Sequence, residues 1–244
     1  MGFIVQVTDP HLRLDPDREG PEEALARAVD TILELQRPPA AVLVTGDVAD
    51  SGHPDEYAQF KRLLAPITVP VHVIPGNHDD RGALADALGE QPDTVDAAGL
   101  RVVLCDTTIP GRPSGRLDTE RLDRLLAEAP DQPTLVALHH PPLLTGIPLL
   151  DEIGLEPGTR ERLEQTLGAH PQVRRVVCGH VHRASFESLG GCGVLTSPST
   201  YLQAEPGPGP GGIRFVERGA AIMLHHLRDD GTVVSHVQPI QADR

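Results

Sequence analysis

With 244 residues, a formal net charge of −14 and no tryptophan, the chain is long enough to bury a full core without disulfide support. The acidic balance argues against long nucleic acids as partners, since binding a phosphate backbone relies on clustered Lys and Arg. No apolar run is long enough to span a membrane, and the first seven residues lack the basic flank of a signal peptide, so a soluble cytoplasmic protein without membrane association is expected.

Taken from the start, an apolar β-rich run at 3–7 is followed by a helical pattern over 21–36, with Leu25, Val29, Ile32 and Leu33 on one side and Pro21 in the first turn. A strand at 41–45, a helix at 54–64 and a strand at 71–74 come next. Strands at 102–105, 135–138 and 176–178 alternate with helices at 118–128 and 159–167, for which Asp118 and Thr159 are the expected N-caps. Runs at 194–196, 221–227 and 232–237 bring the strands to nine, and with no helix among the last of them the end of the chain reads as a meander. The alternation up to about residue 180 describes an α/β domain over 1–244. Its spacing suits two sheets packed face to face with helices outside, and equally a single mixed sheet.

Several smaller features complete this reading. The stretch from Glu205 through the Pro-Gly repeat at 206–212 reads as an irregular loop. Cys105, Cys178 and Cys192 form no CxxC pair and are expected as buried thiols in a reducing compartment. The aromatic residues, Phe3, Tyr57, Phe60, Phe186, Tyr201 and Phe215, are assigned mostly to the core, with Tyr201 and residues 143–150 also suited to walling a pocket.

Five short blocks each follow an apolar run: Thr8-Asp9-Pro10-His11, Gly46-Asp47, Gly76-Asn77-His78-Asp79, His139-His140-Pro141-Pro142 and Gly179-His180-Val181-His182. Taken singly, each histidine or acid is an ordinary polar residue at a loop start. Jointly they place imidazole and carboxylate donors at successive strand ends, a mix that suits Zn, Fe, Mn or Co. In an extended or turn conformation, Asp9 and His11 project to one side, as do His180 and His182. Asp47, with two oxygens, has the chemistry to bridge two ions. Asn77 offers a neutral carbonyl, and the adjacent His78 is left to face substrate as a proton donor. His140 reads either as a substrate contact or as a hydrogen-bonded support of the loop. Asp50 and Asp106 read as loop organisers, with the orienting of a ligand histidine as the alternative for Asp50, and His53, His72, His170, His225, His226 and His236 as structural.

In order and spacing, these blocks resemble the calcineurin-like metallophosphoesterase superfamily, whose pattern is D-x-H, G-D, G-N-H-[DE], H and G-H-x-H. The resemblance implies a four-layer αββα sandwich, with two mixed sheets face to face and helices outside. It also implies two metal ions: Asp9, His11 and His182 hold one, Asn77, His139 and His180 hold the other, and Asp47 bridges them. Asn77, His78 and His140 then face the substrate, and Asp47 and His78 are the catalytic pair. Two such ions lower the pKa of a bridging water, which attacks the phosphorus in line. Their charge makes the pocket positive inside an acidic protein.

The finer pattern points to a branch. Ser/Thr phosphatases of this superfamily carry a phosphate-gripping arginine shortly after G-D, whereas here the run is Gly46-Asp47-Val48-Ala49-Asp50-Ser51-Gly52. Together with Glu56-Tyr57, Gly146-Ile147-Pro148 and Ser197-Pro198-Ser199-Thr200, it resembles the bacterial cyclic nucleotide and glycerophosphodiester phosphodiesterases. The expected activity is hydrolysis of a small phosphodiester such as 3',5'-cyclic AMP, with a homodimer compatible with the resemblance. With no Arg or Lys in the blocks, the phosphate is expected to be held mainly by the metals and His78. A broad phosphomonoesterase and a non-catalytic metal-binding scaffold are the alternatives.

Overall fold

Strand β1 (Phe3–Val7) is buried at every position because both of its faces are covered. Phe3, Val5 and Val7 belong to one apolar layer and Ile4 to another, while Gln6, on the same side as Ile4, is fully buried. The computed structural model, which describes residues 2–14, 20–207 and 212–240, repeats this alternation across two sheets.

In chain order, β1 leads through α1 (Pro21–Leu33), β2 (Ala41–Thr45), α2 (Pro54–Leu64), β3 (Val71–Ile74) and α3 (Arg81–Leu88) to β4 (Thr94–Ala97) and β5 (Leu100–Leu104). Then come α4 (Thr119–Ala127), β6 (Thr134–Ala137), α5 (Pro148–Glu152), α6 (Thr159–Ala169), β7 (Val173–Cys178), β8 (Ser185–Leu189) and β9 (Cys192–Thr196). Last are β10 (Gln203–Pro206), β11 (Ile213–Val216), β12 (Ala221–Leu227) and β13 (Val233–Pro239). The first sheet runs β13-β12-β1-β2-β3 and the second β4-β5-β6-β7-β9-β8, with β10 and β11 forming a separate hairpin. In the first sheet β1, β2 and β3 are parallel and β12 and β13 add antiparallel on the β1 side; in the second, β5, β6, β7 and β9 are parallel and the edge strands β4 and β8 antiparallel.

The layers follow from the side-chain alternation. Ile4, Leu43, Leu100, Val102, Leu135, Val177 and Met223 meet between the sheets. The outer face of the first sheet packs on Leu25, Val29 and Ile32 of α1 and on Tyr57 and Phe60 of α2. That of the second packs on Leu122 and Leu126 of α4 and on Leu163 and Leu167 of α6. This is the αββα sandwich.

The structure adds strands that periodicity passed over. β4, with Asp96 exposed, and β8, with Phe186 and Ser188 exposed, are edge strands whose half-polar sequences lack a buried run. The expected meander is instead a set of hairpins shared among the sheets: β8 with β9, β10 with β11, and β12 with β13, where β12 returns to pair with β1. Glu205 and Pro206, expected in an irregular loop, belong to β10; residues 208–211 of that loop lie outside the described residues. Asp118 caps α4 by accepting from the Arg121 N–H, as expected, whereas α6 is capped by Gly158 in a left-handed conformation and Thr159 is its first helical residue.

Candidate metal centre

All five blocks lie just beyond the carboxyl ends of parallel strands: Asp9 and His11 after β1, Asp47 after β2, Asn77 and His78 after β3, His139 after β6, and His180 and His182 after β7. Sheet register therefore brings residues far apart in sequence to one end of the sandwich. The local backbone is neither extended nor an ordinary turn. Asp9, His11, Asp47, His180 and His182 have φ of 50°, 48°, 49°, 71° and 46°. These are left-handed values that cost a non-glycine residue free energy and cluster where function holds them. Among the described residues, Ala98 is the only other non-glycine with positive φ. Gly76 is needed for close approach, because a Cβ there would overlap the Asp47 carboxylate and backbone nitrogen.

Ligand-capable atoms of Asp9, His11, Asp47 and His182 lie within 4.8 Å of one another. Asp47 Oδ2 is 3.5 Å from His11 Nε2 and 3.4 Å from His139 Nε2, so one carboxylate oxygen stands between two donor sets. The second set includes Asn77, whose Oδ1 is 3.1 Å from His139 Nε2, and His180, whose ring lies 5.1 Å centroid to centroid from that of His139.

The other ring nitrogens are committed. Nδ1 of His11 pairs with Asp50 Oδ1 at 3.1 Å, that of His139 donates to the Thr45 carbonyl at 2.8 Å, and that of His182 donates to the Leu202 carbonyl at 2.8 Å. In neutral rings, each Nε2 is then a lone pair pointing inward. His11 Nε2 and His182 Nε2 face each other at 3.0 Å, and His180 Nε2 is buried without a hydrogen-bond partner. Acceptors turned toward one another in this way are what a cation satisfies. The residues present thus fit a pair of divalent metals.

The electrostatics agree. Burial opposes charge on Asp47, but His139, His11 and His78 overcome it and hold the carboxyl well below its ordinary value. Burial also disfavours a charged His139, yet Asp47 and Asp9 raise its pKa to about 9, the mark of a strongly negative floor. Burial and the neighbouring His140 and His139 push His180 well down, keeping it the neutral imidazole that binds metal.

His140 is fully buried, with Nδ1 2.8 Å from Thr107 Oγ1 and Nε2 3.1 Å from the Pro113 carbonyl. Burial, with His139 next to it, pushes its pKa down to about 3. Of the two roles expected for it, this geometry suits the support of the loop; His140 does not line the cavity. Although its ring lies near those of His139 and His180, both of its nitrogens are taken. His78 is exposed beside the cavity, its Nδ1 donating to the Asp50 carbonyl at 2.8 Å.

Asp50 takes the alternative role the sequence allowed it, its side chain orienting His11, and its carbonyl also orients His78. Asp106, as expected, organises a loop, pairing with Arg81 and accepting from Thr108. Asp79 accepts from the backbone N–H groups of Gly76, Val48 and Ala49 and from the Tyr57 hydroxyl, clamping two ligand loops together; the fourth position of G-N-H-[DE] was the available signal. A cavity of about 300 Å³ opens over the site, lined also by Arg13, Leu150, Ile153, Tyr201, Leu202 and Phe215. An arginine is therefore present, although the blocks contain none. Phe215 belongs to this wall rather than to the core, and Phe186 is 69 % exposed.

Two packed sheets between helices, with a dinuclear donor set at their carboxyl ends, define a metallophosphoesterase. Residues 4–184 match the calcineurin-like phosphoesterase family, and the chain belongs to it. A probable glycerophosphodiester phosphodiesterase from Arcobacter nitrofigilis is 32 % identical, over 98 % of this chain and 93 % of that protein. The 3',5'-cyclic adenosine monophosphate phosphodiesterase of Pseudomonas aeruginosa is 35 % identical over 84 % and 78 %. A dimetal phosphatase from Danio rerio shares the fold with a TM-score of 0.74, at 15 % identity over 98 % of this chain and 96 % of that one.

Proposed function

We propose that this protein is a dinuclear metal-dependent phosphodiesterase acting on small diesters such as cyclic nucleotides or glycerophosphodiesters. The observation that carries the reading is the position of Asp47 Oδ2 between His11 Nε2 and His139 Nε2, at 3.5 and 3.4 Å. Asp9, His11 and His182 hold one ion, Asn77, His139 and His180 the other, and Asp47 both; iron, manganese, zinc and cobalt all suit this donor set. When bound, a metal pair supplies a water of lowered pKa and positive charge for the phosphate oxygens.

The chain's own residues supply the rest. His11, His139 and His182 are each fixed through Nδ1, so their Nε2 atoms keep one direction. The Asp50 carbonyl holds His78 Nδ1–H, which aims Nε2 at the cavity, where it carries the proton for the departing alkoxide. Leu150, Ile153, Leu202 and Phe215 add apolar lining for an ester arm. No described helix is long and apolar enough to cross a membrane, and three free, buried cysteines support a cytoplasmic location.

The test is turnover by manganese-loaded protein of bis(p-nitrophenyl) phosphate, cyclic AMP and a glycerophosphodiester against p-nitrophenyl phosphate. Higher kcat/KM on diesters is expected. Monoester turnover far above that of every diester would make the protein a phosphomonoesterase, and absence of all turnover with metal bound would favour the scaffold.

A further inference from the structure

Arg13 is the only Arg or Lys among the described residues lining the cavity. Its placement follows from a short extended piece in which Leu12, fully buried, forms a parallel bridge with Ala49. The Leu12 N–H donates to the Val48 carbonyl at 3.0 Å, and the Asp50 N–H to the Leu12 carbonyl at 2.8 Å. With Leu12 turned into the core, Arg13 shares the cavity side with His11.

The guanidinium is braced there. Nη2 donates to the Tyr201 hydroxyl at 3.1 Å, and Cζ lies 5.6 Å from the centre of the Tyr201 ring. Tyr201 is itself held, its N–H donating to Ser199 Oγ at 2.9 Å while Ser199 Oγ donates to the Asp9 carbonyl at 2.7 Å. Arg13 Nε is buried and has no hydrogen-bond partner, and among the described residues no carboxylate lies within ion-pair distance of this side chain. The cavity lining thus combines the Arg13–Tyr201 pair, a cation and a phenol, with the apolar side chains of Leu150, Ile153, Leu202 and Phe215.

We propose that Arg13, braced by Tyr201, is a specificity-determining residue that binds an anionic group on one ester arm of the substrate, so that diesters bearing a second negative charge are selected. The inference rests on the phosphodiesterase reading and names its substrate class. A guanidinium held by a neutral phenol, rather than by a carboxylate, keeps its charge for an incoming anion. The ligand candidates and His78 converge at the strand ends, whereas Arg13 is anchored to Tyr201. On this proposal the anion that Arg13 binds lies on an ester arm, apart from the reacting phosphate.

Calorimetry on manganese-loaded protein with two non-hydrolysable phosphinates, diphenylphosphinate and phenyl(4-carboxyphenyl)phosphinate, in which P–C bonds replace the scissile esters, tests this directly. The second compound can bind with either ring toward Arg13, so the result does not depend on which arm departs. Wild type should bind the carboxylate about tenfold more tightly or better, as a charge-assisted hydrogen bond gives. Arg13→Gln should erase that ratio, Arg13→Lys should keep part of it, and Tyr201→Phe should reduce it. No preference in wild type, an unchanged ratio in Arg13→Gln, or equal weakening of both compounds, which would put the guanidinium on the shared phosphinate, each overturns the proposal. Because binding needs no turnover, selectivity without diester hydrolysis would sink the phosphodiesterase reading alone, and hydrolysis without selectivity would sink this contact alone.

Discussion

Gln6→Leu is expected to damage both the fold and the metal centre, although Gln6 belongs to none of the blocks. The amide is fully buried between the sheets. Its Nε2 donates to Thr45 Oγ1 at 2.9 Å and to the Cys178 carbonyl at 3.1 Å, and its Oε1 accepts from His225 Nε2 at 3.1 Å. Leucine fills much of the volume but leaves the His225 N–H without an acceptor. That loss costs roughly 1–3 kcal/mol. The Cys178 carbonyl keeps the Ser197 N–H, and the Thr45 hydroxyl can turn, so these add less, for a total of about 2–4 kcal/mol. Thr45 and Cys178 stand just before Gly46-Asp47 and Gly179-His180, so the same change loosens two ligand-bearing strand ends. Metal affinity should fall by roughly tenfold to a hundredfold, as for other supporting contacts of metal sites. Urea unfolding and competitive metal titration read the two effects. A variant within 1 kcal/mol of wild type and with unchanged metal affinity would refute the reasoning.

Burial pushes the His225 pKa down to about 3, so the unfolded chain takes up its proton first as pH falls from about 6.5. The stability tied to neutral His225 is complete above that value and is lost on the way down, about 2 kcal/mol by pH 5. The stability difference between wild type and His225→Gln should shrink by that amount between pH 7.5 and 5, and a difference independent of pH would contradict the assignment. His78→Ala should keep both metals and lose ~10²–10⁴ in kcat on alkyl diesters, with less effect on p-nitrophenyl esters, whose leaving groups need little proton assistance. Equal rates on alkyl diesters would remove His78 from proton transfer.

Much of this was legible in the sequence because the parallel strands carry their signal in few residues. In β1, β2 and β7, apolar runs end directly in donor residues, so strand and ligand are read together. The αββα layering came through resemblance, since spacing alone also allowed a single mixed sheet. What stayed hidden is long-range or conformational. The left-handed backbone at Asp9, His11, Asp47, His180 and His182 has no signature in the sequence, because Asp and His, although enriched there among non-glycine residues, adopt it in only a small fraction of cases. The acceptors that orient the ring nitrogens of His139 and His182 are main-chain carbonyls of Thr45 and Leu202, whose identity no side chain encodes. His140 allowed two readings in the sequence, substrate contact or loop support, and only its burial and its two partners, Thr107 and Pro113, favour the second. Arg13 went unnoticed because its partner Tyr201 lies 188 positions away.

Metal content of the wild type and of single ligand variants tests the central claim most directly. Elemental analysis after loading and desalting should find two ions per wild-type chain. Asp47→Ala should retain less metal than Asp9→Ala, His11→Ala, Asn77→Ala, His139→Ala, His180→Ala or His182→Ala, because its carboxylate alone stands between both donor sets. Two ions still bound to Asp47→Ala, or one ion in a fully active wild type, would contradict the dinuclear account.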